Sequence, residues 1–160
     1  MHPVAATDPN PQPRIEVAAG LVFRRGKLLI TQRCPEAHQG GLWEFPGGKR
    51  EANESFEACL ARELREELGI EIAVGPLVES LTHAYPEKTV FLRFYRCRWL
   101  EHEPRPIGCA DFKWVTAETV ANYAFPAADA RLLKKLARMF PKPSRRTPGR
   151  SRGNCSRQRR

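Results

Sequence analysis

The chain has 160 residues, which suits a single domain with a real core, and its hydrophobic content of 41% is typical of a globular protein. No apolar run reaches the roughly eighteen residues that a membrane-spanning helix needs, so we expect no membrane-embedded part. The net charge of +9 is uneven, because residues 14–140 contain nineteen Lys/Arg and seventeen Asp/Glu, whereas residues 141–160 contain eight basic residues and no acidic one.

The two ends of the chain are predicted to be disordered. Residues 1–13 contain four prolines among small and polar residues and lack the layout of a secretory signal. Residues 141–160 have almost no apolar side chains and cannot bury enough surface to fold alone. This basic tail is suited to weak, salt-sensitive contact with a nucleic-acid backbone, although a solvated tail without a partner is the alternative. One domain is therefore expected over residues 14–140.

The cysteines bear on the compartment of the protein. They are odd in number and scattered, and none of them lies in a CxxC pair, which argues against a disulfide framework and against a zinc site. This pattern fits a reducing cytosol and predicts a cytoplasmic protein. The five residues are Cys34, Cys59, Cys97, Cys109 and Cys155.

Short apolar segments separated by turn residues predict a series of strands. The first two form a hairpin around Gly26, and the segment containing Pro76 is predicted to be an irregular or edge strand. In the long segment 89–100 arginines alternate with aromatic residues, which favours a half-buried strand with a basic outer face over a nucleic-acid stacking surface. The predicted strands are 15–23, 28–30, 43–46, 72–81, 89–100 and 112–115.

Two helices are predicted from apolar residues at helical spacing. The first begins at Asn53, a suitable N-cap, and ends at Gly69, which can adopt a left-handed conformation. Its buried stripe consists of Phe56, Leu60, Leu64 and Leu68. A short helix opens at 116–118, and the last helix is predicted over 128–140 with a stripe of Leu132, Leu133, Leu136 and Met139. Strands alternating with two main helices predict the mixed α/β sandwich class.

The first helix also carries an unusual acidic face. Glu63, Glu66 and Glu67 are spaced i, i+3, i+4, so Glu63 lies beside both of the others and the like charges repel. A divalent cation would remove this repulsion, and carboxylate oxygens suit Mg²⁺ or Mn²⁺ when a substrate phosphate adds further ligands. The alternative is a solvated helix whose acids pair with Arg62 and Arg65.

The segment 47–70, GGKREANESFEACLARELREELGI, resembles the Nudix box at every defining position over twenty-three residues. The preceding residues 41–49, GLWEFPGGK, are similar to the approach to that box in MutT-type nucleoside triphosphate pyrophosphohydrolases. The similarity extends over about residues 15–136. It implies a Nudix-type α/β/α sandwich in which one mixed sheet is flanked by helices.

The resemblance also implies roles for the box residues. Glu63, Glu66 and Glu67 would bind Mg²⁺ or Mn²⁺, and Glu54 would support the loop or a second metal ion. Arg62 would orient Glu63, the candidate base, by a charge-assisted hydrogen bond, so Arg62, Glu63 and Glu66 form the implied catalytic set. Gly47 and Gly48 would shape the loop.

The substrate implied by the resemblance is a nucleoside triphosphate, which water would attack at phosphorus to give a nucleoside monophosphate and pyrophosphate. Arg33 and His38 would lie near the nucleotide phosphates or the substrate, and Glu44 near the base. Tyr85 would contact the base and Lys88 the sugar and phosphate. The complete implied substrate-binding set is Arg33, His38, Glu44, Phe45, Tyr85, Lys88 and Asp129.

Two positions depart from the MutT-type pattern. Gly108, six residues before Trp114, occupies a position where such sequences often have a glutamate. Either another loop carboxylate replaces this glutamate, or the site works with the box carboxylates alone, or the activity is weak. Asp129 replaces an asparagine that reads oxidised guanine. Because an ionised carboxylate only accepts hydrogen bonds, Asp129 favours an amino edge such as that of cytosine, as in related cytidine triphosphate pyrophosphohydrolases.

Several functions therefore remain in competition. The first is a Mg²⁺-dependent enzyme that removes oxidised or non-standard nucleotides such as 8-oxo-dGTP, and its variant acts on CTP or 5-methyl-dCTP. The second is a non-catalytic Nudix-like module that recognises nucleotides or DNA lesions. The third is an enzyme acting on sugar-nucleotides or capped RNA. The protein is expected to be a monomer or a homodimer.

Overall fold

The structure is a computed structural model that describes residues 13–140. The predicted disordered segments, 1–13 and 141–160, thus lie outside the described residues except for Pro13. Within the described part, no helix has the length and apolar character required to cross a membrane.

Residues 13–140 form seven strands and two α-helices. Strands β1 to β7 are Arg14–Arg24, Lys27–Gln32, Trp43–Glu44, Gly47–Lys49, Glu71–Ala84, Thr89–Glu101 and Asp111–Val115. Helices α1 and α2 are Phe56–Leu68 and Ala130–Leu136, and two single turns of 3-10 helix are Val120–Asn122 and Ala127–Asp129.

All seven strands belong to one mixed sheet with the central order β3-β2-β1-β6-β5. Strands β1 and β6 run parallel along almost their whole length, and the other pairs are antiparallel. The hairpin of β1 and β2 around Gly26 confirms the prediction. Strand β5 is an edge strand with register shifts on both sides of Pro76, as predicted, although it is longer than the predicted segment.

Each face of the sheet is covered by one helix. Alternate side chains of β1 point to opposite faces, so Ala18 and Val22 pack with α1 while Ala19 and Leu21 pack on the α2 side. From α1, Leu60, Leu64 and Leu68 are fully buried, and from α2, Leu132 and Leu136 are fully buried. The α/β/α sandwich with a mixed sheet is therefore confirmed.

Helix α1 begins later than predicted. Its N-cap is Ser55, whose Oγ accepts a hydrogen bond from the Ala58 amide at 3.0 Å, so the prediction of Asn53 as N-cap is wrong. The reason is that Glu54 is tied into the preceding loop: its carboxylate accepts from the Glu51 amide and its carbonyl from Arg50. The predicted end is confirmed, because Gly69 has φ of 68° and donates to the Arg65 carbonyl.

The second half of the chain also differs from the prediction. Helix α2 spans Ala130–Leu136 rather than 128–140. A 3-10 turn precedes it, and after it the amides of Arg138 and Met139 donate to carbonyls three residues earlier, as in a 3-10 turn. Leu133 and Met139 are therefore half-buried, while Phe140 is buried against Phe23. The short helix predicted at 116–118 is instead a turn that leads into Val120–Asn122.

The N-cap of α1 can be tested by two single substitutions. We expect Ser55→Ala to lower the free energy of unfolding by about 1 kcal/mol, because the Ala58 amide loses its acceptor. Asn53→Ala, the matched control, should change it by less than about 0.5 kcal/mol, as is usual for an exposed site. Urea denaturation measures both, and a larger loss in the Asn53 variant would contradict the assignment.

Candidate active site

Two adjacent glycines bring the sheet into direct contact with α1. Strand β4 pairs with β1, and a Cβ on Gly47 would overlap the backbone carbonyl of Ala18. A Cβ on Gly48 would overlap the carboxylate of Glu63. Position 47 thus requires glycine on steric grounds, whereas a side chain at position 48 would displace the carboxylate of Glu63, which lies directly against the loop backbone.

Arg62 is the centre of the polar contacts on α1. Its Nη2 and Nε donate to the carboxylate of Glu54 at 2.6 and 3.1 Å, and its Nη1 donates to Glu63 at 3.0 Å and to Glu66 at 3.1 Å. The hydrogen bonds from Arg62 lower the pKa of Glu54 to about 2. The structure thus places Arg62 in contact with Glu63, the contact that orientation of the candidate base would need, whereas the catalytic role itself stays a prediction.

Glu67 has a different environment. Burial, together with the negative charges of Glu63 and Glu44, raises its pKa to about 8 against the opposing effect of Arg33. Its carboxyl therefore lies between the acids of α1 and the residues that line the neighbouring cavity. Negative charge at this point is only partly compensated.

The assignment of Glu54, Glu63, Glu66 and Glu67 as metal ligands stays a prediction. Across residues 13–140, no three His, Cys, Asp or Glu side chains are arranged to hold a metal ion. The guanidinium of Arg62 forms ion pairs with Glu54, Glu63 and Glu66. The donor set nevertheless fits a hard divalent cation, since it consists of carboxylate oxygens and the raised pKa of Glu67 marks negative charge that a cation would stabilise.

Beside these carboxylates lies a cavity of about 410 Å³. Its apolar floor comes from the first halves of β1 and β6, with Phe45 and Phe94 in edge-to-face contact at 5.9 Å. All seven residues of the implied substrate-binding set line it, together with Gly47 of the loop. These seven are Arg33, His38, Glu44, Phe45, Tyr85, Lys88 and Asp129.

One rim of the cavity is aromatic and basic. The ring of Tyr85 contacts His83 at 4.4 Å and His38 at 6.1 Å between centroids, and the Lys88 ammonium lies 5.7 Å from the Tyr85 ring. The sequence analysis missed His83, Gln39 and Lys49 in this lining. No local sequence signal marks His83, because its place in the lining follows from the pairing of β5 with β6, where it lies opposite Val90.

The opposite wall is acidic. Arg33 forms an ion pair with Glu44 and donates from Nε to the His38 carbonyl at 2.7 Å, which fixes its guanidinium at the cavity wall. Asp129 is only 7% exposed, and burial, with the nearby charge of Glu44, raises its pKa to about 6. Burial also raises the pKa of Glu44. Two carboxyls of weakened acidity, those of Glu44 and Asp129, therefore line this cavity.

The structure explains the glycine at position 108. The amides of Ile107 and Gly108 both donate to the Glu67 carbonyl at 3.0 Å, and the Arg105 amide donates to Leu68 at 2.9 Å, so this loop caps the end of α1. A Cβ at Gly108 would lie 2.9 Å from Glu67 Cγ. A glutamate cannot be placed there unless the loop or Glu67 shifts.

Two carboxylates on either side of this loop are engaged in ion pairs. Asp111 forms an ion pair with Lys113 at 2.8 Å, and Glu103 forms one with Arg24 at 2.7 Å at the far end of β1. The carboxylates that line the cavity are those of Glu44 and Asp129, and Glu67 of the box interacts electrostatically with Glu44.

Comparison with known proteins finds a matching family and similar enzymes. The model of the NUDIX domain family matches residues 18–135. The chain is 38% identical over 120 residues to the CTP pyrophosphohydrolase of Escherichia coli, covering 75% of this chain and 89% of that protein. It is 31% identical over 127 residues to the 8-oxo-dGTP diphosphatase of Escherichia coli, covering 79% of this chain and 98% of that protein.

Among solved structures, the solution structure of the E. coli ORF135 protein superposes with a TM-score of 0.68 at 34% identity, covering 80% of this chain and 91% of that one. A second structure comes from work on MutT of the fish pathogen Aliivibrio salmonicida and of Vibrio cholerae. It superposes with a TM-score of 0.60 at 32% identity, covering 79% of this chain and 99% of that one.

The charge of Glu67 gives a pH-dependent stability that can be measured. Its pKa rises from 4.5 to about 8 on folding, so between these values the folded protein holds a proton that the unfolded chain has released. The contribution of Glu67 to stability should therefore fall as pH rises through this window. We expect Glu67→Gln to flatten the decrease in urea midpoint between about pH 5 and about pH 8 in metal-free buffer.

Glu57→Gln is the matched control, because it removes an exposed acid from the same helix. This variant should keep the wild-type dependence on pH. A wild-type dependence that persists in Glu67→Gln would contradict the assignment of the buried proton to Glu67.

Proposed function

Because this chain belongs to the Nudix hydrolase family, and is a hydrolase acting on nucleotide diphosphate linkages, we propose that it is a MutT-type nucleoside triphosphate pyrophosphohydrolase. Its substrates would be oxidised or non-standard nucleotides such as 8-oxo-dGTP, and its products a nucleoside monophosphate and pyrophosphate. This activity would keep the nucleotide pool free of such nucleotides. One observation carries the proposal: the acidic face of α1 adjoins a cavity lined by all seven implied substrate-binding residues.

Nudix hydrolases generally need divalent cations, and we propose Mg²⁺, with Mn²⁺ as a substitute. When bound, the cation would generate hydroxide at neutral pH and neutralise the charge that develops on the phosphate oxygens. Glu63, Glu66 and Glu67 would hold it, with Glu54 as support. Glu63 would accept the proton of the attacking water, and Arg62 would keep Glu63 in place through their hydrogen bond of 3.0 Å.

The cavity would orient the nucleotide from both sides. Arg33 would contact phosphate oxygens with its guanidinium, and Lys88 would contact the sugar and phosphate from the opposite rim. Tyr85 would pack against the base, while Glu44 and Asp129 would accept or donate hydrogen bonds at its edge. The apolar floor around Phe45 would exclude water from this end of the cavity.

A second candidate is a pyrophosphohydrolase for CTP or 5-methyl-dCTP. Asp129 supports it, because an ionised carboxylate accepts a hydrogen bond from the amino group of cytosine. The identity of 38% with the Escherichia coli CTP pyrophosphohydrolase supports it as well. The intact set of box carboxylates argues against the non-catalytic recognition module, since repelling acids serve no purpose there.

The location of the protein, its contact with nucleic acid and its oligomeric state are proposed as well. The four described cysteines, Cys34, Cys59, Cys97 and Cys109, are free, which supports a cytoplasmic location. The basic segment 141–160 is proposed to make weak contact with nucleic acid, and the protein is proposed to act as a monomer or a homodimer.

The proposed reaction is tested by pyrophosphate release from a panel containing 8-oxo-dGTP, dGTP, CTP, dCTP, 5-methyl-dCTP and ADP-ribose, with and without Mg²⁺. We expect Mg²⁺-dependent release from one modified or cytosine triphosphate, and a loss of at least about 100-fold in kcat for Glu63→Gln with nucleotide affinity retained. Glu57→Gln, on the same helix but outside the site, should keep the wild-type rate. No turnover of any compound by folded protein, with binding intact, would favour the recognition module.

The role of Asp129 is tested through the pH dependence of KM. Because its pKa is about 6, Asp129 should become an acceptor as pH rises through this value, so KM for CTP should fall across the interval. Asp129→Asn should lose the part of this fall that the ionisation of Asp129 causes. The substrate phosphate itself titrates at about 6, so the role of Asp129 is given by the difference between the KM profiles of the wild type and the variant. Identical profiles would exclude Asp129 as a contact to the base.

A further inference from the structure

Two cysteines lie where the loop that follows β2 meets the loop that precedes β7. These strands pair as far as Gln32 and Asp111. Cys34 follows Gln32 by two residues, and Cys109 precedes Asp111 by two residues. The Ala110 amide donates to the Gln32 carbonyl at 2.9 Å, so the two segments still run side by side where the strands end. Both cysteines therefore lie at the same end of this strand pair.

The two side chains are in each other's vicinity. The thiol of Cys34 donates to the Gly108 carbonyl at 3.9 Å, and the carbon of that carbonyl is bonded to the amide of Cys109. Burial, together with negative charge on Glu67 and on Cys34, raises the pKa of the Cys109 thiol to about 11, so the two thiols interact. Opposite residues of antiparallel neighbours are about 4.5–5.5 Å apart at Cα, which is within the range of about 4.4–6.8 Å that a disulfide spans.

The accessibility of the two thiols differs from that of the other described cysteines. Cys34 and Cys109 are both free and partly exposed, whereas Cys59 and Cys97 are free but buried. Cys34 opens a loop whose next residues, 35–41, are exposed, and Cys109 packs against the core cluster beneath α1. A small oxidant therefore reaches Cys34 first, and Cys109 is the neighbouring second thiol.

We propose that Cys34 and Cys109 form a reversible disulfide when the protein meets hydrogen peroxide. The Cys34 sulfur attacks one peroxide oxygen, the O–O bond breaks, and the thiol proton leaves with the other oxygen as water, which gives a sulfenic acid. The Cys109 sulfur then attacks the Cys34 sulfur, the S–O bond breaks, and the Cys109 proton leaves with the hydroxyl as water. Two thiols thus give two electrons to one peroxide. A dithiol restores both thiols by exchange, so the bond is transient in a reducing compartment.

The disulfide acts on the candidate active site through the neighbours of the two cysteines, and this part of the inference rests on the proposed function. Arg33 forms the ion pair with Glu44 at the cavity wall, and the Gly108 amide holds the Glu67 carbonyl at the end of α1. The covalent bond replaces the contact of the Cys34 thiol with the Gly108 carbonyl, so both loops shift together. Hydrolysis is therefore slower in the oxidised protein.

The bond is tested by peptide mapping of the full chain. Folded protein is treated with hydrogen peroxide, free thiols are alkylated, and trypsin digests the protein without reductant. Each cysteine falls in a different tryptic peptide, with Cys34 in 34–49 and Cys109 in 99–113. We expect these two peptides to be joined, with the loss of two hydrogens, and to separate after treatment with dithiothreitol. Cys155→Ser, the matched control that removes another thiol, should keep the link.

Peroxide should also slow pyrophosphate release by about 10-fold or more, because small displacements near a reacting centre are costly, and reductant should restore the rate. Cys34→Ser and Cys109→Ser should keep the rate of the reduced wild type and lose this sensitivity. An equal loss of activity in either variant would place the damage elsewhere and overturn the regulatory role.

The pair itself would be overturned if both thiols stayed free in peroxide, if Cys34 were oxidised without the link, or if either cysteine were joined to a different one. The peptide map needs no enzymatic activity. An absence of turnover by the reduced protein would therefore count against the proposed function alone, and a missing link in an active protein against the disulfide alone.

Discussion

The structure depends on one close approach, between the Gly47–Gly48 backbone and the first turns of α1. A side chain at position 47 would collide with the backbone of β1, and one at position 48 would displace the carboxylate of Glu63. This contact joins the sheet to the helix at the point where the acids of α1 meet the cavity. Burial of Leu60 and Leu64 beneath the helix holds the two elements in this register, so core packing and placement of the acids are one constraint.

The acids collected by this contact have to be compensated. Arg62 compensates the charges of Glu54, Glu63 and Glu66 through hydrogen bonds. The negative charge of Glu67 is the least favourable, since its pKa rises because it is buried among like charges. The loop that caps the end of α1 contacts the same residue, since Gly108 donates to the Glu67 carbonyl. Charge that is stabilised only when a cation binds is what a metal-dependent hydrolase needs at this position.

The sequence predicted what depends on spacing and missed what depends on tertiary contacts. The positions of the box, the hairpin at Gly26 and the left-handed end at Gly69 follow from local rules, and the structure has them. The N-cap was misplaced because Glu54 is engaged by Arg50 and Glu51, which propensity cannot show. Helical spacing also could not show that one guanidinium, that of Arg62, contacts Glu54, Glu63 and Glu66 together.

The same distinction applies to β6. From sequence, the arginines of 89–100 were assigned to the basic outer face of a half-buried strand, since alternation alone cannot show what the neighbouring strands bring beside them. Parallel pairing places Phe23 opposite Arg98, and antiparallel pairing places Ala73 opposite Arg98, so this end of β6 lies between two other strands. At the other end β1 and β6 supply apolar side chains to the cavity beside α1. One end of this central parallel pair thus lines the candidate site while the other carries arginines, a division that follows from strand pairing and not from the alternation of residues.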